Sequence, residues 1–276
     1  MNLILNLGAG GQIAFVVIAF GGGSVAGLYL VRRLVSLEKL QRNHEVAGVT
    51  FGVLGAFYGL VLAFMMSAAW QRFNQATANV HDEATSLESL YKVAAAFPDP
   101  IRSRMESQIL EYADRVVNQE WPRMATFRYE GNREGAHLLW TMILSYRPTD
   151  AREQMLIEKS LEELDLVSRA RSQRLMFYDG DLPPVVWLVI YMGCFITIGF
   201  SYFFGNSAFR PQIVMCAVFS ILIGLTIVAI VELAHPYQGS VTISDDPFRY
   251  AISRMHALRD YESPSIAPSA PNAPVK

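Results

Sequence analysis

Few polar side chains in this sequence could do chemistry, and the densest group begins at His81. His81, Thr85 and Glu88 share one face of a predicted helix, with Asp82 and Glu83 beside them. His81 and Glu88 are two helical turns apart, so they cannot hold one metal ion without ligands from another element. The pattern therefore indicates a solvated face or a contact between subunits, and no metal site is predicted.

Glu232 and His235 form a second group, at the end of an apolar run and just before Pro236. This position is typical of a helix terminus at a membrane interface. The alternative interpretation is a candidate gate or ion contact, because ionisable residues near a membrane span often belong to a transport path. The interiors of the apolar runs carry no ionisable residue, which argues against a proton-coupled pump.

The third group is a basic row, Arg169, Arg171 and Arg174, together with Glu120 on another predicted helix. We expect salt bridges between these two helices. Both segments are rich in charge, so the pairs are predicted to be exposed, where such bridges contribute little stability.

No motif in the sequence indicates an enzyme. There is no Ser/His/Asp arrangement and no P-loop, and the glycine-rich run at Gly8 to Gly11 precedes an apolar segment rather than following a strand. Cys194 and Cys216 lie inside apolar runs, where a thiol packs as a small apolar group. No cofactor is predicted. The net charge of -2 gives no basic footprint for nucleic acid.

The elements that position these residues are predicted to be helices in a membrane. Hydrophobic residues make up 52% of the chain and charged ones only 17%, against about 25% charged in soluble domains. A helix needs about 20 apolar residues to cross the hydrocarbon core. Four segments meet that requirement: 12–31 (TM1), 47–70 (TM2), 185–204 (TM3) and 212–232 (TM4). We therefore predict an all-α integral membrane protein with four transmembrane helices.

A helical extramembrane domain is predicted between TM2 and TM3, over residues 71–182. TM2 should continue into it as one helix to about Phe97, where Pro98 stops it. A later helix of this domain should turn Met155, Leu161, Leu164 and Val167 toward a core. An amphipathic segment, 233–262, follows TM4, and the Pro-rich tail 263–276 is predicted to be disordered.

TM2 has two distinct faces. One carries the small residues Gly48, Gly52, Gly55 and Gly59, which favour close helix packing, here expected against TM1 or TM4. The other face presents bulkier side chains, and its candidate pore-lining residues are Thr50, Phe57, Val61 and Phe64. In a ring of TM2 helices this second face would form an apolar constriction that gates by dewetting. In a bundle without a pore it would meet lipid.

Several stretches carry a family resemblance: RRLVSLEKLQRNHEVAGVTFGVLGAFYGLVLAFMMSAAWQRF, HDEATSLESLY and VELAHPYQGSVTISDDPF. They resemble the bestrophin-like domain of uncharacterised bacterial membrane proteins, a family distantly similar to the bestrophin anion channels. The resemblance implies four spans around a helical domain in the bacterial inner (cytoplasmic) membrane. It also implies a homo-oligomer, a pentamer in the channels, with TM2 lining a central pore.

Two functions follow from these observations. The first is a passive, homo-oligomeric ion channel in the lipid bilayer, with TM2 at its axis. The alternative is a non-conducting membrane adaptor or sensor whose helical domain binds a partner.

The direction of insertion is predicted from basic residues in short loops, which stay in the cytoplasm. The TM1–TM2 loop holds Arg32, Arg33, Lys39 and Arg42, and the TM3–TM4 loop holds Arg210. This places the helical domain on the outer side. The bestrophin resemblance implies the reverse, and we adopt the argument from charge because it rests on the residues of this chain.

Overall fold

Helices make up the regular secondary structure of this computed structural model, which describes residues 2–36, 38, 44–126, 134–179, 182–203 and 208–262. In chain order they are α1 (Asn2–Leu5), α2 (Ala9–Leu34), α3 (His44–Ala95), α4 (101–125), α5 (Glu134–Ser145), α6 (Ala151–Asp179), α7 (Pro184–Ser201), α8 (Phe209–Ala234) and α9 (Asp246–Glu262). One π-helical turn interrupts α2 at Val17–Gly22 and another interrupts α4 at Val116–Glu120. The all-helical expectation is confirmed for these residues, and the predicted disordered tail lies outside them.

Four helices in the described ranges are long and apolar enough to cross a membrane. They are α2, α3 from Ala47, α7 and α8. The longest, α3, has 52 residues and is about 78 Å long at 1.5 Å per residue. It ends at Ala95, two residues before the predicted end, because the chain turns ahead of Pro98.

The chain divides into two compact units. The first comprises Met1–Thr77 and Leu175–Ile243, and the second comprises Ala78–Arg174 and Ser244–Lys276. The first unit therefore holds α2, α7, α8 and the first part of α3. The second unit holds the rest of α3, α4, α5, α6 as far as Arg174, and α9, which follows the last apolar helix.

Close contacts at glycine hold α2 and α8 together in the first unit. A Cβ on Gly224 would lie 2.7 Å from the Phe20 ring, and one on Gly21 would lie 3.1 Å from Ile221. The π-helical turn of α2 includes Phe20 and Gly21. A local change of helical pitch thus accompanies the tightest packing in this pair.

The second unit has a core built from α3, α4, α6 and α9, with fully buried side chains such as Leu87, Ile109, Leu164 and Phe248. The predicted inward face of α6 is correct for Leu164 and Val167. It is wrong for Met155, which is 69% exposed. Met155 lies in the first turns of α6, ahead of the buried run that begins at Ser160.

Candidate functional site

The α3 segment from Val49 to Phe64 carries an apolar stripe that no other part of the described chain covers. Its members recur every three or four residues and are each 54–70% exposed: Val49, Val53, Phe57, Leu60 and Phe64. Two of the four candidate pore residues, Phe57 and Phe64, lie on this stripe. Thr50 is exposed beside it, whereas Val61 is half-buried. Val53 and Leu60 therefore belong to the exposed face together with Phe57 and Phe64, whereas Val61 lies at its edge.

The glycine row of α3 does not make the expected contact with α2 or α8. A Cβ on Gly52, Gly55 or Gly59 would meet nothing within 4 Å among the described residues. Gly48 is half-buried. The row is therefore open in a single chain, and helix packing through it stays a prediction, now for contact between copies.

Tyr58 decides which side of α3 packs on the rest of its own chain. Its hydroxyl donates a hydrogen bond of 2.8 Å to the carbonyl of Ile190. Its ring lies where a Cβ on Gly193 would be, only 2.4 Å away. Leu62 and Ala69 are buried on the same side of α3. The large ring seated on a glycine of α7 turns the stripe and the glycine row outward.

A buried cluster of four charges lies inside the second unit. Arg174 of α6 pairs with Glu83 of α3 through two hydrogen bonds, of 2.7 and 3.1 Å. The Nη2 group that donates the 3.1 Å bond also donates to Glu120 of α4, at 2.9 Å. Arg171 completes the cluster by pairing with Glu120 at 2.7 Å. Two cations face two anions, so the cluster has no net charge.

Aromatic side chains enclose Arg174. Its guanidinium lies 5.8 Å from the ring centre of Trp121 and 5.9 Å from that of Phe248 on α9, within cation–π range. Tyr112 donates a hydrogen bond of 2.8 Å to Glu83. Burial, together with the negative charge of Glu83, raises the pKa of Tyr112, which therefore keeps its proton and remains a hydrogen-bond donor.

The electrostatics of the cluster fix its arginines as cations. Burial alone would lower the pKa of Arg174, but the attraction and hydrogen bonds of Glu83 outweigh it and raise that pKa well above the ordinary value. The π-helical turn of α4 ends at Glu120. The cluster therefore joins α3, α4 and α6 by charge, and α9 by its aromatic contact.

The expectation of exposed salt bridges was wrong for this cluster. The expected pairing between the helices does form, from Arg171 and Arg174 to Glu120, but it is buried. Arg169 is 71% exposed and pairs with Asp165 on its own helix. Arg174 and Glu83 are 0% exposed. The sequence did contain a signal, because Glu83 stands at helical spacing between the buried Val80 and Leu87. A charge in register with an apolar face is typical of a buried pair, and Glu83 is thus not part of the solvated face predicted around His81.

Glu232 anchors the loop that follows α8. Its carboxylate accepts hydrogen bonds from Gln12 Nε2 at 2.5 Å, from the backbone N–H groups of Ser240 and Val241 at 2.8 and 2.9 Å, and from the Ser240 hydroxyl at 3.0 Å. Gly239 has a φ of +95°, and a Cβ there would lie 2.7 Å from both carboxylate oxygens. Only glycine lets the loop approach so closely.

These neutral donors account for the buried carboxylate and favour the interpretation of Glu232 as the end of a membrane helix. His235 is half-buried, and its Nδ1 lies 2.8 Å from the carbonyl of Val231, so it does not share the hydrogen bonds described for Glu232. A gate or ion contact at these two residues stays a prediction. Within the described ranges, no group of three or more His, Cys, Asp or Glu side chains could hold a metal ion.

Comparison with known proteins gives one family and one fold. The family model described as the Bestrophin-like domain matches residues 18–248. No curated protein matches the chain significantly. A crystal structure of a bacterial bestrophin homologue from Klebsiella pneumoniae, a point mutant, is similar over 91% of this chain and 99% of its own, with 13% identity and a TM-score of 0.65. A second crystal structure of a bacterial bestrophin homologue from Klebsiella pneumoniae, solved by Zn-SAD phasing, is similar over 88% of this chain and 96% of its own. The identity is 13% and the TM-score is 0.64.

Proposed function

Because the chain belongs to the bestrophin-like domain family, we propose that it is an ion channel made of several copies, with α3 of each copy lining the axis. The observation that carries the proposal is the exposed stripe of α3. Phe57 is 68% exposed and Phe64 62% exposed, although both lie in the middle of a helix able to span the membrane. Tyr58 holds the opposite side of that helix on its own chain. A ring of copies would bring the stripes together.

Such a ring would have an apolar constriction rather than a charged filter. Phe57, Leu60 and Phe64 would project toward the axis and control conduction by wetting and dewetting of the path. The interiors of the predicted spans offer no Asp, Glu, Lys, Arg or His side chain for proton coupling, since Glu232 lies at the very end of the fourth span. Transport through this path is therefore passive. The glycine row would lie at the contact between neighbouring copies, where its open surface allows close approach.

The proposal includes the extramembrane domain predicted from the sequence. Since α3 is about 78 Å long and the hydrocarbon core is about 30 Å thick, its second half projects from the membrane. Residues 71–182 would then form the predicted extramembrane domain, with 12–31, 47–70, 185–204 and 212–232 as spans and 233–262 as a following amphipathic segment. We assign the protein to the bacterial inner membrane, with the helical domain on the outer side.

Cysteine cross-linking tests the axial position of α3 separately from conduction. In a background where Cys194 and Cys216 are replaced by alanine, Leu60→Cys should form disulfide-linked dimers in the membrane upon oxidation. Leu222→Cys is the matched control, because Leu222 of α8 is 62% exposed and Leu60 is 54% exposed. Equal cross-linking of the two variants would contradict the position of α3 at the axis.

Recording from purified protein in planar bilayers tests conduction. We expect ion currents that disappear when the protein is omitted. Absence of both anion and cation currents across voltage, pH and calcium concentration would refute the channel. It would leave the non-conducting adaptor or sensor, whose helical domain binds a partner, as the function to pursue.

A further inference from the structure

An apolar groove of about 550 Å³ lies between α2 and α7 in the first unit. Its volume falls within the usual range of small-molecule sites. Glycines on both walls create the space, since a Cβ on Gly23 of α2 or on Gly199 of α7 would meet nothing within 4 Å. Phe195 and Phe203 flank the groove and are 75% and 47% exposed. It therefore opens on the side of these helices that would face lipid.

The length of the groove matches one leaflet of a bilayer. Its lining runs from Ala19 to Val31 on α2, about 18 Å of helix at 1.5 Å per residue, and from Tyr191 on α7 to Phe203, two residues beyond the end of that helix. One leaflet contributes about 15 Å of hydrocarbon. The two helices run in the same direction, because Gly27 packs against Tyr202 near the end of both linings. The groove thus extends from the middle of the membrane to one surface.

Positive charge collects at the surface end of the groove. Arg32 and Arg33 directly follow the lining residue Val31. Arg32 lies 5.4 Å from the ring centre of Phe209, which places the start of α8 and its exposed Arg210 at the same end. Arg33 and Arg210 are both exposed there.

From these features we propose that the groove holds an acyl chain of an anionic phospholipid, whose phosphate contacts Arg33 and Arg210. The apolar walls suit the chain, and the basic end suits the headgroup. A second copy of the protein fits less well, since copies inserted in the same direction would bring like charges together at this end. The proposal needs insertion in the membrane but not conduction, so it can stand if the channel is refuted.

Native mass spectrometry of the purified protein, titrated with phosphatidylglycerol or phosphatidylcholine of identical acyl chains, tests the site. The wild type should bind phosphatidylglycerol more tightly. Gly23→Leu should weaken the binding of both lipids at least tenfold by filling the groove. Gly22→Leu is the matched control, because its Cβ also meets nothing within 4 Å but Gly22 does not line the groove. Gly199→Leu repeats the test from the other wall in case Gly23→Leu does not fold.

The headgroup contact is tested by Arg33→Gln combined with Arg210→Gln. Each basic residue near a membrane surface contributes roughly fivefold to the affinity for an anionic lipid. The double variant should therefore lose roughly twentyfold in phosphatidylglycerol binding and much less in phosphatidylcholine binding, because the choline cation offsets the charge of that lipid's phosphate. Equal wild-type affinities for the two lipids would overturn the proposal, as would equal behaviour of the Gly22 and Gly23 variants. A Gly23→Leu protein that dissociates into single copies while retaining its lipid would assign the groove to a second copy instead.

Discussion

Replacing Arg174 with methionine should destabilise the protein by about 3–5 kcal/mol, the cost of leaving a buried charge without its partner. Arg174 and Glu83 are both 0% exposed, so water cannot take the place of the guanidinium. Arg171 can still neutralise Glu120, to which it pairs at 2.7 Å. The uncompensated charge in the variant is therefore that of Glu83.

Thermal unfolding of the detergent-solubilised protein, followed by circular dichroism, measures this effect. A loss of this size corresponds to a fall in melting temperature of roughly 10 °C in a protein of this length. Arg169→Met is the matched control, since Arg169 is on the same helix and pairs with Asp165 but is 71% exposed. Breaking an exposed pair should cost about 0–1 kcal/mol.

A double variant separates charge from packing. Arg174→Met combined with Glu83→Gln removes both charges and leaves the pair of Arg171 and Glu120 intact. It should be more stable than Arg174→Met alone, because no buried carboxylate is left unpaired. The electrostatic reasoning is refuted if the double variant loses the sum of the two single losses, or if Arg174→Met costs no more than Arg169→Met.

Three other predictions concern conduction, orientation and ionisation. Phe57→Ala with Phe64→Ala should widen the axial path and increase ion leak from liposomes, whereas Leu222→Ala should not; unchanged flux at equal insertion would count against the gate. A cysteine at exposed Ser103 should react with an impermeant thiol reagent on intact cells, and protection until lysis would reverse the orientation. Burial and the charge of Glu83 raise the pKa of Tyr112, so the folded state holds this proton more tightly than the unfolded state does. Its contribution to stability is full below about pH 10, the ordinary tyrosine pKa, and is lost as the pH rises above it. Tyr112→Phe should therefore leave the tyrosinate absorbance between about pH 9 and 11 unchanged; a lost step would contradict this.

The spanning helices could be predicted from sequence because a membrane imposes one simple requirement, an uninterrupted apolar run of sufficient length. Which face of such a helix packs on its own chain is a different question. Both faces of α3 are apolar, and the contact of Tyr58 with Gly193 on α7 determines which of them packs on the same chain. A contact between residues so distant in the sequence leaves no periodic signal, so the side of α3 that packs on α7 could not be predicted.

The burial of the charged cluster was not predicted, for another reason. Glu83, Arg171 and Arg174 are charged residues, and charge alone suggested solvent. Their spacing contained the opposite information, since Arg171 and Arg174 continue the face of α6 that buries Leu164 and Val167. The pairing with Glu120 was expected, but the spacing could not identify Glu83 as a second partner of Arg174, because that pairing depends on how α3 packs against α6.

The contact between Arg174 and Phe248 has a consequence for biosynthesis. Phe248 lies in the second stretch of the second unit, Ser244–Lys276, and the two apolar helices α7 and α8 separate it in the chain from Arg174. The ribosome therefore completes residues 78–174 well before α9 exists, and the membrane insertion machinery must handle α7 and α8 in between. Until then Arg174 lacks one of its two aromatic neighbours. Maturation of this unit is thus coupled to the delivery of the last two hydrophobic segments into the bilayer.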